Sequence, residues 1–331
     1  TSGMSAETNA DGPVMNVVPK EGSNTFKFIA NGLYTNDSLE TVNLDRALND
    51  RGITTPNKTH HIFDEAISVG GPFKQDRLWF FGAARTWGMA RQFAGLYWNR
   101  SQQIPNYQQL TGKSPLLSPA GAQYEVPRYD PYIDRPFDRL SGRWEWYDSY
   151  LGRVTWQATP KNKFNFLFDH QQACNCGGTS SNTLNEPASG YRFEPNNFMQ
   201  LTYNSPITSR LLLEVGIGAS ISQWNNFRNT GVSTNTVNIS DTGLGKSYGG
   251  PATFRAHPNF TNRYTQRAAL TYVTGSHTVK TGFIFEHMIT DNYISSGTNL
   301  QYQFTNGVPR FITQRTTPYR EIDKTDEFGM F

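Results

Sequence analysis

The side chains best equipped for chemistry lie far apart along this chain. Cys174 and Cys176 sit one residue apart in a polar, Gly-rich stretch. A local disulfide, a soft-metal pair and two free thiols all fit that spacing, whereas a disulfide framework holding a whole fold together does not. His60-His61 is an isolated pair at the start of a strand-like run. It reads as an interface or loop feature rather than a metal site, because a tetrahedral site needs further ligands. Asp130, Asp134 and Asp138 do not have the spacing of a compact calcium loop. Glu214 and Glu286 are acids of the kind a glycosidase pairs, but each lies in a strand-like run with no evident partner. No catalytic constellation emerges, no metal site is assigned and no cofactor is called for.

The richest candidate for ligand contact is the segment from Arg128 to Arg139. Arg128, Tyr129, Asp130, Tyr132, Asp134 and Arg135, with Trp144 and Trp146 further on, combine stacking surfaces with guanidinium and carboxylate groups. Such a set suits a sugar or a peptide. The same residues also suit a long loop folded on itself through Arg–Asp pairs.

The elements that must position these groups alternate in a regular way. Short connections at residues 72–77, 159–163, 205–209 and 274–278 alternate with long ones at 36–58, 87–146, 171–195 and 224–262. Between them lie about nine or ten strand-like runs, and hairpins with short turns at one end and long loops at the other describe an outer-membrane β-barrel. Runs are expected at 24–35, 60–70, 78–86, 148–157, 163–170, 197–204, 210–224, 264–273 and 278–287. Residues 300–305 and 310–314, joined by Asn306-Gly307, read as a hairpin extending into an extracellular loop. Several runs reach the roughly 9–11 residues that a tilted strand needs to cross a bilayer.

Composition agrees. Only 36% of residues are hydrophobic and mean hydropathy is -0.59, so nothing approaches the roughly 18 apolar residues of a membrane helix. Aromatic residues make up 14% and charged residues 17%, an excess and a deficit that aromatic girdles and lipid-facing strands explain together. A formal net charge of +3, with scattered Lys and Arg, gives no argument for a nucleic-acid partner.

Period-two alternation assigns faces. Leu211, Leu213, Val215, Ile217, Ala219 and Ile221 form one apolar face, as do Phe164, Phe166 and Phe168, and Val279, Phe283 and Phe285. These sets are expected to meet lipid. Arg85, Arg153, Glu214, Arg267, Lys280 and Glu286 are assigned to the lumen, where they are solvated, line a path or hold a plug by ion pairs. Trp79, Trp87, Trp156 and Trp224 lie toward strand ends and are expected to anchor at the membrane interface. Gly70-Gly71-Pro72 is expected to end a strand sharply.

Two motifs carry a family resemblance. Residues 70–82, Gly-Gly-Pro-Phe-Lys-Gln-Asp-Arg-Leu-Trp-Phe-Phe-Gly, resemble a hairpin near the start of the barrel in TonB-dependent receptors, specifically the group with an N-terminal carboxypeptidase-regulatory-like domain. Residues 16–26, Asn-Val-Val-Pro-Lys-Glu-Gly-Ser-Asn-Thr-Phe, look like the passage from the last plug strand into the first barrel strand. Residues 276–283 and 327–331 also fit later hairpins of that group. The resemblance implies that residues 1–23 are the end of a plug domain and 24–331 the N-terminal part of a barrel of about 22 strands with a plugged lumen. It further implies a receptor that binds an unknown ligand on extracellular loops and imports it with energy from a TonB-type partner. The expected setting is the lipid of a Gram-negative-type outer membrane, with no enzyme activity. Residues 327–331 read as a strand cut partway, so an internal fragment with two open sheet edges is expected. A small passive channel or adhesion barrel is the alternative, and a secreted all-β carbohydrate-active enzyme a further one.

Overall fold

The structure, a computed structural model, describes residues 19–51, 56–93, 142–176, 189–228, 234–243, 245–255, 259–306, 308–316 and 318–331. Its strands, in chain order, are β1 (Lys27–Asn36), β2 (Lys58–Lys74), β3 (Leu78–Gln92), β4 (Gly142–Thr159), β5 (Asn162–Asn175), β6 (Ser189–Pro206) and β7 (Leu211–Arg228). There follow β8 (Asn238–Asp241), β9 (Lys246–Gly249), β10 (Asn259–Thr274), β11 (His277–Ile294), β12 (Leu300–Thr305), β13 (Val308–Gln314) and β14 (Tyr319–Met330). One five-residue helix, α1 (Arg46–Asp50), and a 3-10 turn at Asp37–Leu39 lie between β1 and β2.

Ten strands form one antiparallel sheet in the order β1-β2-β3-β4-β5-β6-β7-β10-β11-β14. Neighbours in sequence are neighbours in space, with only the loop strands skipped. Among the described residues β1 and β14 pair on one side only, matching the expected open sheet. The remaining strands form a second sheet, β13-β12-β8-β9, built from the two loops that follow β7 and β11.

Cross-strand partners share a side of the sheet. One row runs across all ten strands: Phe28, Val69, Gly82, Gly152, Phe168, Met199, Ala219, Tyr264, His287, Asp326. The next row, on the opposite side, is Lys27, Gly70, Phe81, Arg153, Leu167, Gln200, Gly218, Thr265, Glu286, Glu327. The first side is apolar for most of its height and the second polar. The three apolar sets anticipated from alternation all fall on the first side. Large apolar groups stay open there, including Phe28 at 68%, Ile217 at 50% and Phe166 at 47% exposure. An uncovered apolar surface of this extent needs a covering medium. Lipid is that medium where every backbone group is paired within the sheet.

The strands outrun the sequence expectation. β4, β6, β7 and β11 each have 18 residues, well beyond the bilayer-crossing length. The surplus lies at the long-loop end, where residues read as loop continue the backbone ladder. Residues 319–326 also join a strand: pairing with β11 makes them β14 although charges interrupt their pattern.

Gly70-Gly71-Pro72 does not end its strand. β2 runs on to Lys74, with a register shift between Pro72 and Lys74, and the turn is made at Asp76, whose φ is 58°. Pro tolerates this place because the ladder is already irregular there. A Cβ on Gly71 would stand 2.4 Å from the exposed Phe26 ring, so any other residue there would displace that ring.

Candidate functional site

All six charged residues assigned to the lumen fall on the polar side. In most cases a partner on a neighbouring element explains why they are tolerated there. Arg85 donates two hydrogen bonds to Asp64, at 2.9 and 2.7 Å. Lys280 meets Glu214 at 3.1 Å, and Arg263 lies 3.9 Å from Glu286. Arg267 pairs in register with Gly216 and Ile284, placing it beside this group. Together β6, β7, β10 and β11 enclose a concavity of about 440 Å³, floored by Gly216, Gly218 and Ser220 and rimmed by Glu214, Arg263 and Glu286. Side chains at alternate positions supply guanidinium, carboxylate, amide and hydroxyl groups facing one space. The arrangement can bind by hydrogen bonds and charge.

Arg153 has a different partner. Its guanidinium donates to the Pro19 carbonyl and to Glu21 Oε1, the latter at 2.7 Å, while Lys163 Nζ stands 3.2 Å from Glu21 Oε2. Residues 19–23 therefore lie against the polar side of the wall before the chain enters β1.

The tryptophan expectation needs correction. Only Trp156 shares the apolar side, where its ring stacks with Phe164 at 5.6 Å near the short-turn end. Trp79, Trp87 and Trp224 take the polar side. Trp79 Nε1 donates to Asn24 Oδ1 at 2.7 Å, Trp87 stacks on Tyr147 at 4.1 Å, and Trp224 carries the Arg255 guanidinium 5.1 Å from its ring centre. Alternation itself forces this. Arg85 and Trp87 are two residues apart in one strand, so they cannot face lumen and lipid respectively. The aromatic residues that flank the apolar band were not foreseen: Tyr203 joins Phe164 at the short-turn end, at 4.8 Å, and Tyr150 and Tyr264 stand at the other end beside His170 and His287. His170 bonds Asn197 at 2.7 Å and His287 bonds Asp326, marking where the apolar side turns polar.

Of the proposed ligand contacts, Arg128, Tyr129, Asp130, Tyr132, Asp134 and Arg135 lie outside the described residues. Trp144 and Trp146 are on β4, on the side that bears the apolar band but beyond its end, and Trp146 pairs with Cys174. Cys174 and Cys176 are buried and joined in a local disulfide, one of the arrangements their spacing allows.

The long-loop end is folded by its own contacts. Asp241, 1% exposed, accepts from the backbone of Gly243 and Asn306, both at 2.9 Å, tying β8 to the β12–β13 turn. Parallel pairing of β8 with β12 joins two loops that are distant in sequence. Arg228 lies over the Phe254 ring at 4.1 Å, and Phe254 bridges Ser295. Nearer β2, the Lys58 ammonium, 2.8 Å away, holds the Asp37 carboxyl below its ordinary range.

The fold has a counterpart among solved structures. The outer membrane transporter YddB from Escherichia coli matches with a TM-score of 0.50 and 10% sequence identity, over 93% of this chain and 36% of that one. This likeness shows the fold alone, and the chain spans about a third of that transporter's length. No curated protein matches the sequence. Residues 144–324, more than half of the chain, match the outer membrane beta barrel domain, and the chain belongs to that family.

Proposed function

We propose that this chain is part of a TonB-dependent outer-membrane receptor that binds a ligand at its long-loop end and admits it through a plugged barrel. Membership of the barrel family places the chain in the outer membrane. The observation that carries the finer reading is the seating of residues 19–23 on the polar wall, held by Arg153 and Lys163. A polypeptide inside the curve of such a wall is what a plug requires, and an empty channel has no need of one. Among the described residues β1 and β14 pair on one side only, and a larger barrel would supply the partners that strand edges need in hydrocarbon. The segment around Arg128–Asp134 supplies the ligand contacts in this reading. The receptor acts by binding and displacement, with no covalent step.

The test is binding of the purified periplasmic domain of TonB to the intact receptor in detergent micelles, measured by calorimetry. A one-to-one complex is expected. Absence of any complex, together with steady ion conductance by the intact protein in a planar bilayer, would overturn the reading in favour of a passive channel.

A further inference from the structure

Residues 19–24 are fixed to the wall by contacts of four kinds. Glu21 sits between two cations, Arg153 and Lys163. The Arg153 side chain is only 10% exposed, and it also takes the Pro19 carbonyl. Gly22 packs so closely that a Cβ would stand 2.3 Å from the Phe80 carbonyl oxygen. Asn24 stitches the β2–β3 turn: its Nδ2 donates to Asp76 Oδ1 at 2.6 Å, and its Oδ1 accepts from the Asp76 backbone and from Trp79. These contacts reach β3, β4, β5 and the β2–β3 turn.

We infer that Glu21, held by Arg153 and Lys163, is a fixed anchor, and that any displacement of the preceding segment stops at Pro19. The inference rests on the receptor reading, in which the residues before β1 belong to a movable plug. It assigns the boundary between the moving part and the wall. Arg153 is the positioning residue, because it is the buried partner and engages both a backbone carbonyl and the carboxylate. Lys163, more exposed and bound only to the carboxylate, contributes less. Arg153 also approaches Asn165, at 3.4 Å, which in turn accepts from Thr155. The guanidinium is thereby oriented from the wall side as well as by residues 19–21.

The anchor is tested by cleavage after Lys20 with a lysine-specific protease, on the intact protein in detergent micelles, with the site of cutting read by mass spectrometry. Each rate is divided by that of a peptide carrying the same substitution, which removes any preference of the protease for the neighbouring residue. Cleavage of a folded segment reports how often it opens. Glu21→Gln should speed cutting about tenfold and Lys163→Gln about threefold, consistent with one strong and one weaker ionic hold. Glu21→Gln combined with Arg153→Gln should speed cutting by well under the product of the two single effects, because each removes the same ion pair, whereas a general loosening of the wall would multiply them. Unchanged cutting in Glu21→Gln, or a double variant whose effect equals the product of the two single ones while the strands themselves remain resistant, would overturn the anchor. The assay needs neither ligand nor TonB. Its failure would remove the seating that supports the receptor reading while leaving the TonB complex to decide that reading separately, and failure of TonB binding would leave the anchor as a purely structural hold.

Discussion

The same strands are stabilised differently at their two ends. Toward the short turns, the apolar side exposes Phe166, Ile217 and Phe283, and stability there comes from a complete backbone ladder in a medium that offers no other partner. Toward the long loops, beyond His170 and His287, the ladder continues but the surroundings change. Here a local disulfide, Arg228 over Phe254, Arg255 over Trp224 and the buried Asp241 do the holding. Bilayer thickness sets the height of the apolar band, and polar contacts set how far the strands run past it.

The sharpest way to break this comparison uses two positions three residues apart on β7. Ile217 lies on the apolar side and Ser220 on the polar side, and both are exposed. Ile217→Arg should destabilise the inserted sheet by about 2–4 kcal/mol, the cost of a cation at mid-bilayer on a lipid-facing strand. Ser220→Glu, a charge placed opposite Arg263 on the polar side, should change stability by about 0.5 kcal/mol or less. Urea unfolding of the protein in lipid vesicles measures both. Equal losses would mean that the two sides do not face different media.

A second substitution separates the ends. Phe254 is 6% exposed, carries Arg228 on its face and bridges Ser295 by backbone hydrogen bonds. Phe254→Ala should make local opening of the loop sheet easier by about 2 kcal/mol, the scale of one buried aromatic side chain. Hydrogen exchange should then speed at residues 236–255 and 300–305, while β4 to β7 keep their protection near the short turns. If exchange rises uniformly along β7 and β10, the loop sheet and the wall form one cooperative unit, and the distinction between them fails.

How far the sequence could show this follows the same division. Faces at membrane height were legible, because period two is imposed by lipid on one side and water on the other. All six charges assigned to the lumen took the polar side for that reason. The same rule sets Trp87 and Trp224 against the interface expectation, since Trp87 is tied to Arg85 and Trp224 to Glu214 by even spacing within one strand. Alternation also finds Tyr150, six residues before Trp156 and therefore on its side. The ion pairs could not be read, because Asp64–Arg85 and Glu214–Lys280 depend on which strands neighbour one another and in what register. The loop sheet was half legible: the β12–β13 hairpin has Asn306-Gly307 at its turn and alternating residues, whereas the parallel β8–β12 contact joins two loops with no local signal. Six of the eight candidate ligand contacts fall outside the described residues, so geometry speaks to the polar wall and not to that segment.

The smallest expected effect concerns the loop between β1 and β2. Asp37 is exposed and paired with Lys58, and hydrogen bonding to that ammonium is the main cause of its lowered pKa, followed by the charge itself. A carboxyl whose folded pKa is depressed adds stability that is fully present above its unfolded value, about 4. That contribution is lost as pH falls through the lower folded value. The 3-10 turn at Asp37–Leu39 should therefore keep its hydrogen-exchange protection, after correction for the intrinsic rate, from neutral pH down to the ordinary carboxylate range and loosen only below it. Asp37→Asn should remove that acid-dependent step and slightly weaken the turn at neutral pH. High salt should reduce the difference between the two proteins, because the pair is open to solvent. A step that persists in Asp37→Asn would assign the acid response to another group, and would show that this end of the molecule, unlike the loop sheet across the barrel mouth, is not held by the contact that its geometry suggests.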